Sequence, residues 1–61
     1  MAFVIERNDP CEPRLVEYAC GSALHLWGRR ADAARFPTRE NAEQAALIVA
    51  LEGAWRVVEV P

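Results

Sequence analysis

The stretch Pro37-Thr38-Arg39-Glu40-Asn41-Ala42-Glu43-Gln44-Ala45-Ala46-Leu47-Ile48-Val49-Ala50-Leu51-Glu52-Gly53 decides the fold. Thr38 supplies a side-chain oxygen for the free amides of a first helical turn, Glu40 sits where the positive end of the helix dipole favours it, and Pro37 keeps the chain extended just before the cap. Ala42, Ala45, Ala46, Leu47, Leu51 and Glu52 are strong helix formers, and Gly53 can adopt the left-handed conformation that closes a helix. The spacing therefore predicts a helix over Arg39 to Glu52.

Outward from that helix the chain reads as strands. Ala2 to Arg7, with Phe3, Val4 and Ile5, predicts a first strand that ends in the turn-rich run Asn8-Asp9-Pro10-Cys11-Glu12-Pro13. Arg14 to Cys20 alternates Val16, Tyr18 and Cys20 against Leu15, Glu17 and Ala19, which suits a second strand, and Gly21-Ser22 is the turn after it. Ala23 to Trp27 is the expected third strand, Leu24 and Leu26 on one face and His25 and Trp27 on the other, with Gly28 ending it. Trp55 to Val60 is the last, crowded with branched residues. The order strand, strand, strand, helix, strand predicts one α+β domain over residues 1–61: a two-layer arrangement with a mainly antiparallel sheet and the helix on one face. The order of strands within the sheet stays open.

Composition narrows the function classes. A chain of 61 residues leaves little room for both a core and a deep catalytic cleft, so a non-catalytic protein is expected. Nine acidic residues against seven basic ones give a net charge of -2, too small for a polyanion mimic or a general nucleic-acid binder. All seven basic residues are Arg and eleven residues are Ala, a bias of GC-rich coding that points to a bacterial or phage source. The N-terminal segment lacks the pattern of a secretion signal and no apolar run is long enough for a membrane span, so the expected location is cytoplasmic.

No cofactor or metal is expected. Cys11, Cys20 and His25 could supply three zinc ligands, but a closed structural site needs four at characteristic short spacings. A Cys20/His25 nucleophile pair lacks a third group to orient the base, and strand geometry puts positions five apart on opposite faces. Free thiols are the expectation for both cysteines.

The run Ala33-Ala34-Arg35-Phe36-Pro37-Thr38-Arg39-Glu40-Asn41-Ala42-Glu43-Gln44-Ala45, between a strand ending at Trp27 and the segment Trp55-Arg56-Val57-Val58-Glu59-Val60, resembles very small phage and prophage accessory proteins. Those proteins carry an A-x-x-F-x-T/S-x-x-x-A entry into an Ala-rich helix followed by a valine-rich strand. The match covers residues 23–60. The resemblance implies a phage-type accessory protein, in a class that includes anti-defence proteins such as anti-CRISPRs; it carries no binding residue with it.

Two surfaces are candidates for function. At about 100° per residue, Ala42, Ala45, Ala46 and Val49 share one narrow helix face, whereas Leu47, Ile48 and Leu51 fall on the other side among Glu40 and Gln44. If the alanines sit on the sheet, Leu47, Leu51 and Ile48, together with Trp55, form a partner-binding surface for a host protein or complex, or for a second copy. The last strand has apolar residues on both faces, Trp55 and Val57 on one, Val58 and Val60 on the other. The second candidate is basic. Residues 1–28 carry net charge -2, residues 29–39 carry +3 and residues 40–61 carry -3. Arg29, Arg30, Arg35 and Arg39, flanked by Trp27 and Phe36, could hold phosphate and stack a base, which makes a small nucleic-acid-binding regulator the alternative function.

Overall fold

A computed structural model describes residues 1–21, 23–24, 26–51 and 53–61; Ser22, His25 and Glu52 lie outside the described residues. Among the described residues the chain is an α+β domain with four antiparallel strands, β1 (Ala2–Asn8), β2 (Val16–Cys20), β3 (Leu26–Gly28) and β4 (Arg56–Val60), and one α-helix, α1 (Arg39–Ile48). The sheet order is β3-β2-β1-β4, so the first three strands form a meander and β4 returns to the outer side of β1. Its register runs from Ala2 opposite Val60 to Glu6 opposite Arg56. A 3-10 turn at Arg30–Asp32 links β3 to the segment that precedes the helix.

Strand alternation assigns the two faces of the sheet. Phe3, Ile5, Ala19, Trp27 and Val57 face α1, and Ile5 and Ala19 form one buried cluster with Leu24, Ala42 and Ala46. On the other face Val4 and Val60 are buried, while Val16 and Leu26 stand exposed.

The helix begins where expected. The Asn41 amide donates to Thr38 Oγ1 at 3.1 Å, and the Ala42 amide donates to the Thr38 carbonyl. Its end is earlier than the sequence reading placed it. α1 stops at Ile48, with Val49 as C-cap and Ala50 in the left-handed conformation at φ 53°. The Leu51 amide bonds back to the Ala46 carbonyl and the Ala50 amide to the Leu47 carbonyl, which is the paired-bond closure of a Schellman motif. Gly53 does adopt a positive φ, 91°, but inside the loop that follows rather than at the helix end. The expected final residue, Glu52, lies outside the described residues.

The region before β3 also differs. Leu24 takes a left-handed conformation at φ 54°, its amide bonded to the Gly21 carbonyl, so it belongs to a turn and not to a strand. That turn breaks the alternation that had placed Leu24 and Leu26 on one face. Leu24 is buried in the core and Leu26 is on the opposite side in solvent. β2 likewise starts two residues later than Arg14, because the Leu15 amide closes a turn on the Glu12 carbonyl.

A feature without a strand signature completes the sheet. Phe36 exchanges both backbone hydrogen bonds with Phe3 at 2.9 Å, and the Ala34 amide donates to the Ala19 carbonyl at 3.0 Å. The extended segment Ala33–Phe36 thus lies in a slot between β1 and β2, bridging to Phe3 on one side and Cys20 on the other. It enters α1 directly through Pro37 and Thr38, so the slot fixes where the helix starts.

Replacing Ala50 with Gly removes the left-handed penalty of a Cβ and should raise stability by about 0.5–1 kcal/mol in urea unfolding. Thr38→Ala leaves a first-turn amide without its acceptor and should lower it by about 1 kcal/mol in the same assay. The loop after β1 should be acid-sensitive. Asp9 Oδ1 accepts from the Cys11 amide at 2.7 Å and the Glu12 amide at 3.1 Å, and these bonds, that to Cys11 foremost, hold its pKa below the ordinary 3.8. A depressed carboxyl pKa gives stabilisation that is present above the unfolded value and lost as pH falls through the folded one. The amide resonances of Cys11 and Glu12 should therefore titrate together below pH 3.8, with the turn opening as they do.

Candidate functional site

The packing of α1 sets which of its residues remain available. Ala42 and Ala46 are fully buried against the sheet, and their small side chains let the helix backbone approach closely. Leu47 and Ile48, on the other side of the helix, and the C-cap Val49 are left in solvent. Leu47 is 69% exposed, Ile48 is 82% exposed and Val49 is 41% exposed. Together they make the last turn of α1 an apolar projection.

The expected surface divides at that turn. Leu47 and Ile48 stand in solvent, but Leu51 does not lie opposite Ala42 and Ala46, because the helix has ended and the reversal at Ala50 folds it back against the core. Trp55 joins it there. Its ring packs on the buried cluster and its Nε1 donates to the Leu51 carbonyl at 3.1 Å, closing the loop between α1 and β4. The pair belongs to the hydrophobic layer rather than to an exposed patch.

Beside Ile48 the structure opens an apolar groove of about 320 Å³, lined by Gly21, Leu24, Ala34, Phe36, Ala45, Ile48 and Val49. Its floor is the helix-facing core, and its walls are the end of α1 on one side and Gly21 and Leu24 on the other. That size is at the lower end for ligand pockets, which span about 300–1,000 Å³. Ile48 is legible in the amino acids but the groove is not, because Phe36 and Ala34 arrive through the slot between β1 and β2 and Leu24 through a left-handed turn.

Three of the four arginines are already engaged within the chain. Arg29 lies 3.7 Å from Asp32 in an exposed pair, a contact of small energetic value. Arg35 donates to the Pro61 carbonyl at 2.8 Å, and Arg39 donates to the Val57 carbonyl at 2.9 Å with its guanidinium 5.4 Å from the centre of the Phe3 ring. The flanking aromatics are also engaged. Phe36 packs against the core, and the guanidinium of Arg7 covers the Trp27 ring at 3.9 Å while pairing with Glu17 at 3.2 Å.

Comparison with protein-family models, curated proteins and solved structures yields no match to this chain. The chemistry therefore rests on its own residues. Cys11 is exposed, and Cys20 is half-buried with its Sγ 3.5 Å from the Leu26 carbonyl; His25 lies outside the described residues. On the face away from α1, Arg56 bonds Glu6 at 2.7 Å and Asn8 at 3.0 Å. Tyr18 stands beside this group, its pKa raised by burial and then by a hydrogen bond to Glu6. The cluster pins the Arg56 end of β4 to β1.

Two substitutions separate projection from core. Ile48→Glu should leave urea stability within about 0.5 kcal/mol, since a charge on a free surface is solvated. Ala46→Leu should lower it by about 1–3 kcal/mol by forcing α1 off the sheet.

Proposed function

We propose that this chain is a non-catalytic binding protein of phage type that acts in the host cytoplasm by occluding a host protein or complex. The reading is supported above all by the solvent-exposed Ile48 at the rim of an open apolar groove. Ile48, Leu47 and Val49 project from the last turn of α1, and burying an aliphatic side chain of this kind contributes about 1.5–3 kcal/mol. The partner places an apolar side chain in the groove while Ile48 and Leu47 enter its own surface. Inhibition is then steric: the domain covers what the partner must use. Inhibition of a host defence complex is the form that the phage-type resemblance suggests.

The alternative is a nucleic-acid-binding regulator using Arg29, Arg30, Arg35 and Arg39. It is supported by the exposure of all four, and weakened by the carbonyl contacts that hold Arg35 and Arg39.

Parallel affinity captures from host lysate with the wild-type chain, Ile48→Glu, and a variant with all four arginines changed to Gln discriminate the readings. The expected outcome is one partner retained by the wild type and the arginine variant and lost by Ile48→Glu, with circular dichroism unchanged. Oligonucleotide binding that weakens steeply with salt and disappears in the arginine variant would instead establish the regulator.

A further inference from the structure

The hydrogen-bond pattern of β1 determines what β4 leaves open. In a strand, a residue's N–H and C=O point to the same side, and successive residues alternate. Phe3 directs both groups to Phe36, away from β4. Ala2, Val4 and Glu6 therefore bond Val60, Val58 and Arg56, and the backbone groups of Val57 and Glu59 face outward from the edge of the sheet. The Arg39 contact agrees, since its guanidinium reaches the Val57 carbonyl from outside. The opposite edge, β3, has three residues, whereas β4 has five.

We propose that the free edge of β4 pairs antiparallel with β4 of a second copy, in a register centred on Val58, locked by two symmetric ion pairs between Arg39 and Glu59. The register follows by elimination. A two-fold axis at Glu59 sets two carboxylates directly opposite each other, which is repulsive. An axis at Val57 sets Glu59 against the partner's Trp55, which lies outside β4 with its ring held on the core and its Nε1 on the Leu51 carbonyl. An axis at Val58 sets each Val57 opposite the partner's Glu59, and both residues exchange both outward hydrogen bonds. Glu59 lies on the helix-facing side of the sheet, as Val57 does, and a two-fold axis perpendicular to the sheet preserves that side. The partner's Glu59 carboxylate thus arrives where Arg39 already sits, and its amide takes the Val57 carbonyl that the guanidinium holds in the single chain. The occupant is a second copy because the edge is complementary to itself: Arg39 at Val57 and the anionic Glu59 are placed to meet across the axis.

This pairing is independent of the groove on the other flank of α1, and its test needs no partner. Sedimentation equilibrium should show a dimer whose dissociation constant rises about tenfold or more in Arg39→Glu and in Glu59→Arg, with the double variant returning close to the wild type. Glutamate at the first helical position suits the dipole, so Arg39→Glu keeps the fold. Glu59→Pro removes an outward amide and no bond to β1, and should give a folded monomer by circular dichroism. Three results would overturn the proposal: a wild-type chain that stays monomeric up to about 1 mM, a dimer tightened by Arg39→Ala, which would make Arg39 a guard against pairing, or a dimer indifferent to Glu59→Pro and lost in Leu47→Glu. Should Glu59→Pro unfold, the charge-reversal cycle decides alone.

Discussion

The contact of Ala42 and Ala46 with the sheet is the constraint on which the other features of the molecule depend. Two methyl groups bring the helix backbone close to Ile5 and Ala19, and a layer that thin leaves no space beneath the helix for larger side chains. Bulk is supplied from the periphery instead: Leu24 from a left-handed turn, Phe36 from the slot, Leu51 and Trp55 from the loop before β4, Trp27 from β3. The same close approach leaves Leu47, Ile48 and Val49 with nowhere to go but outward. A core built on alanine and an exposed aliphatic helix end are one structural decision seen from two sides.

The division between what could and could not be read from the amino acids follows the same line. The helix start was legible because capping is a local event: Thr38 and its acceptor geometry lie within one turn. The Ala42 and Ala46 face was legible because period alone identifies it, but Val49, expected on that face, is the C-cap and stands 41% exposed. The helix end was not, since Ala50 occupies a conformation usually reserved for Gly, and a Gly stood three residues further on to draw the reading. Leu24 misled for the same reason, as a non-Gly residue at positive φ inside an apparently alternating run. The slot segment carries no strand signature at all, because its pairing partners, Phe3 and Ala19, are set by where β1 and β2 separate. The exposure of Leu47 and Ile48 was therefore accessible from sequence, whereas the groove beside them and the inward position of Leu51 and Trp55 depend on backbone conformations that propensity does not encode.

Charge is distributed to hold the fold rather than to form a field. Arg7, Arg35, Arg39 and Arg56 each reach a carbonyl or a carboxylate on another element, and Arg7 also covers the face of Trp27. Long guanidinium arms serve here as outer packing, their stems covering apolar surface that a small core cannot enclose. Within the basic run 29–39, Arg35 and Arg39 are consequently taken up by the carbonyls of Pro61 and Val57, and Arg29 by Asp32. With the groove on one flank of α1 and the β4 edge on the other, two copies joined edge to edge would present two grooves directed apart, a bivalent arrangement in which a second contact is made at high effective concentration.

The pairing of β1 with β4 also governs how the molecule is reached from the disordered chain. Arg56 meets Glu6 across a sequence separation of 50 residues, so the central strand lacks one of its two neighbours until the closing strand has docked. Closing so long a loop costs entropy before any contact compensates for it, and chains whose native pairs are distant in sequence fold slowly for their size. The meander of β1, β2 and β3 can form early from local turns, but it offers α1 only half of the surface the helix needs. Val57 of β4 completes the layer that Ile5 and Ala19 begin beneath Ala42 and Ala46, so α1 and the closing strand depend on each other for stability.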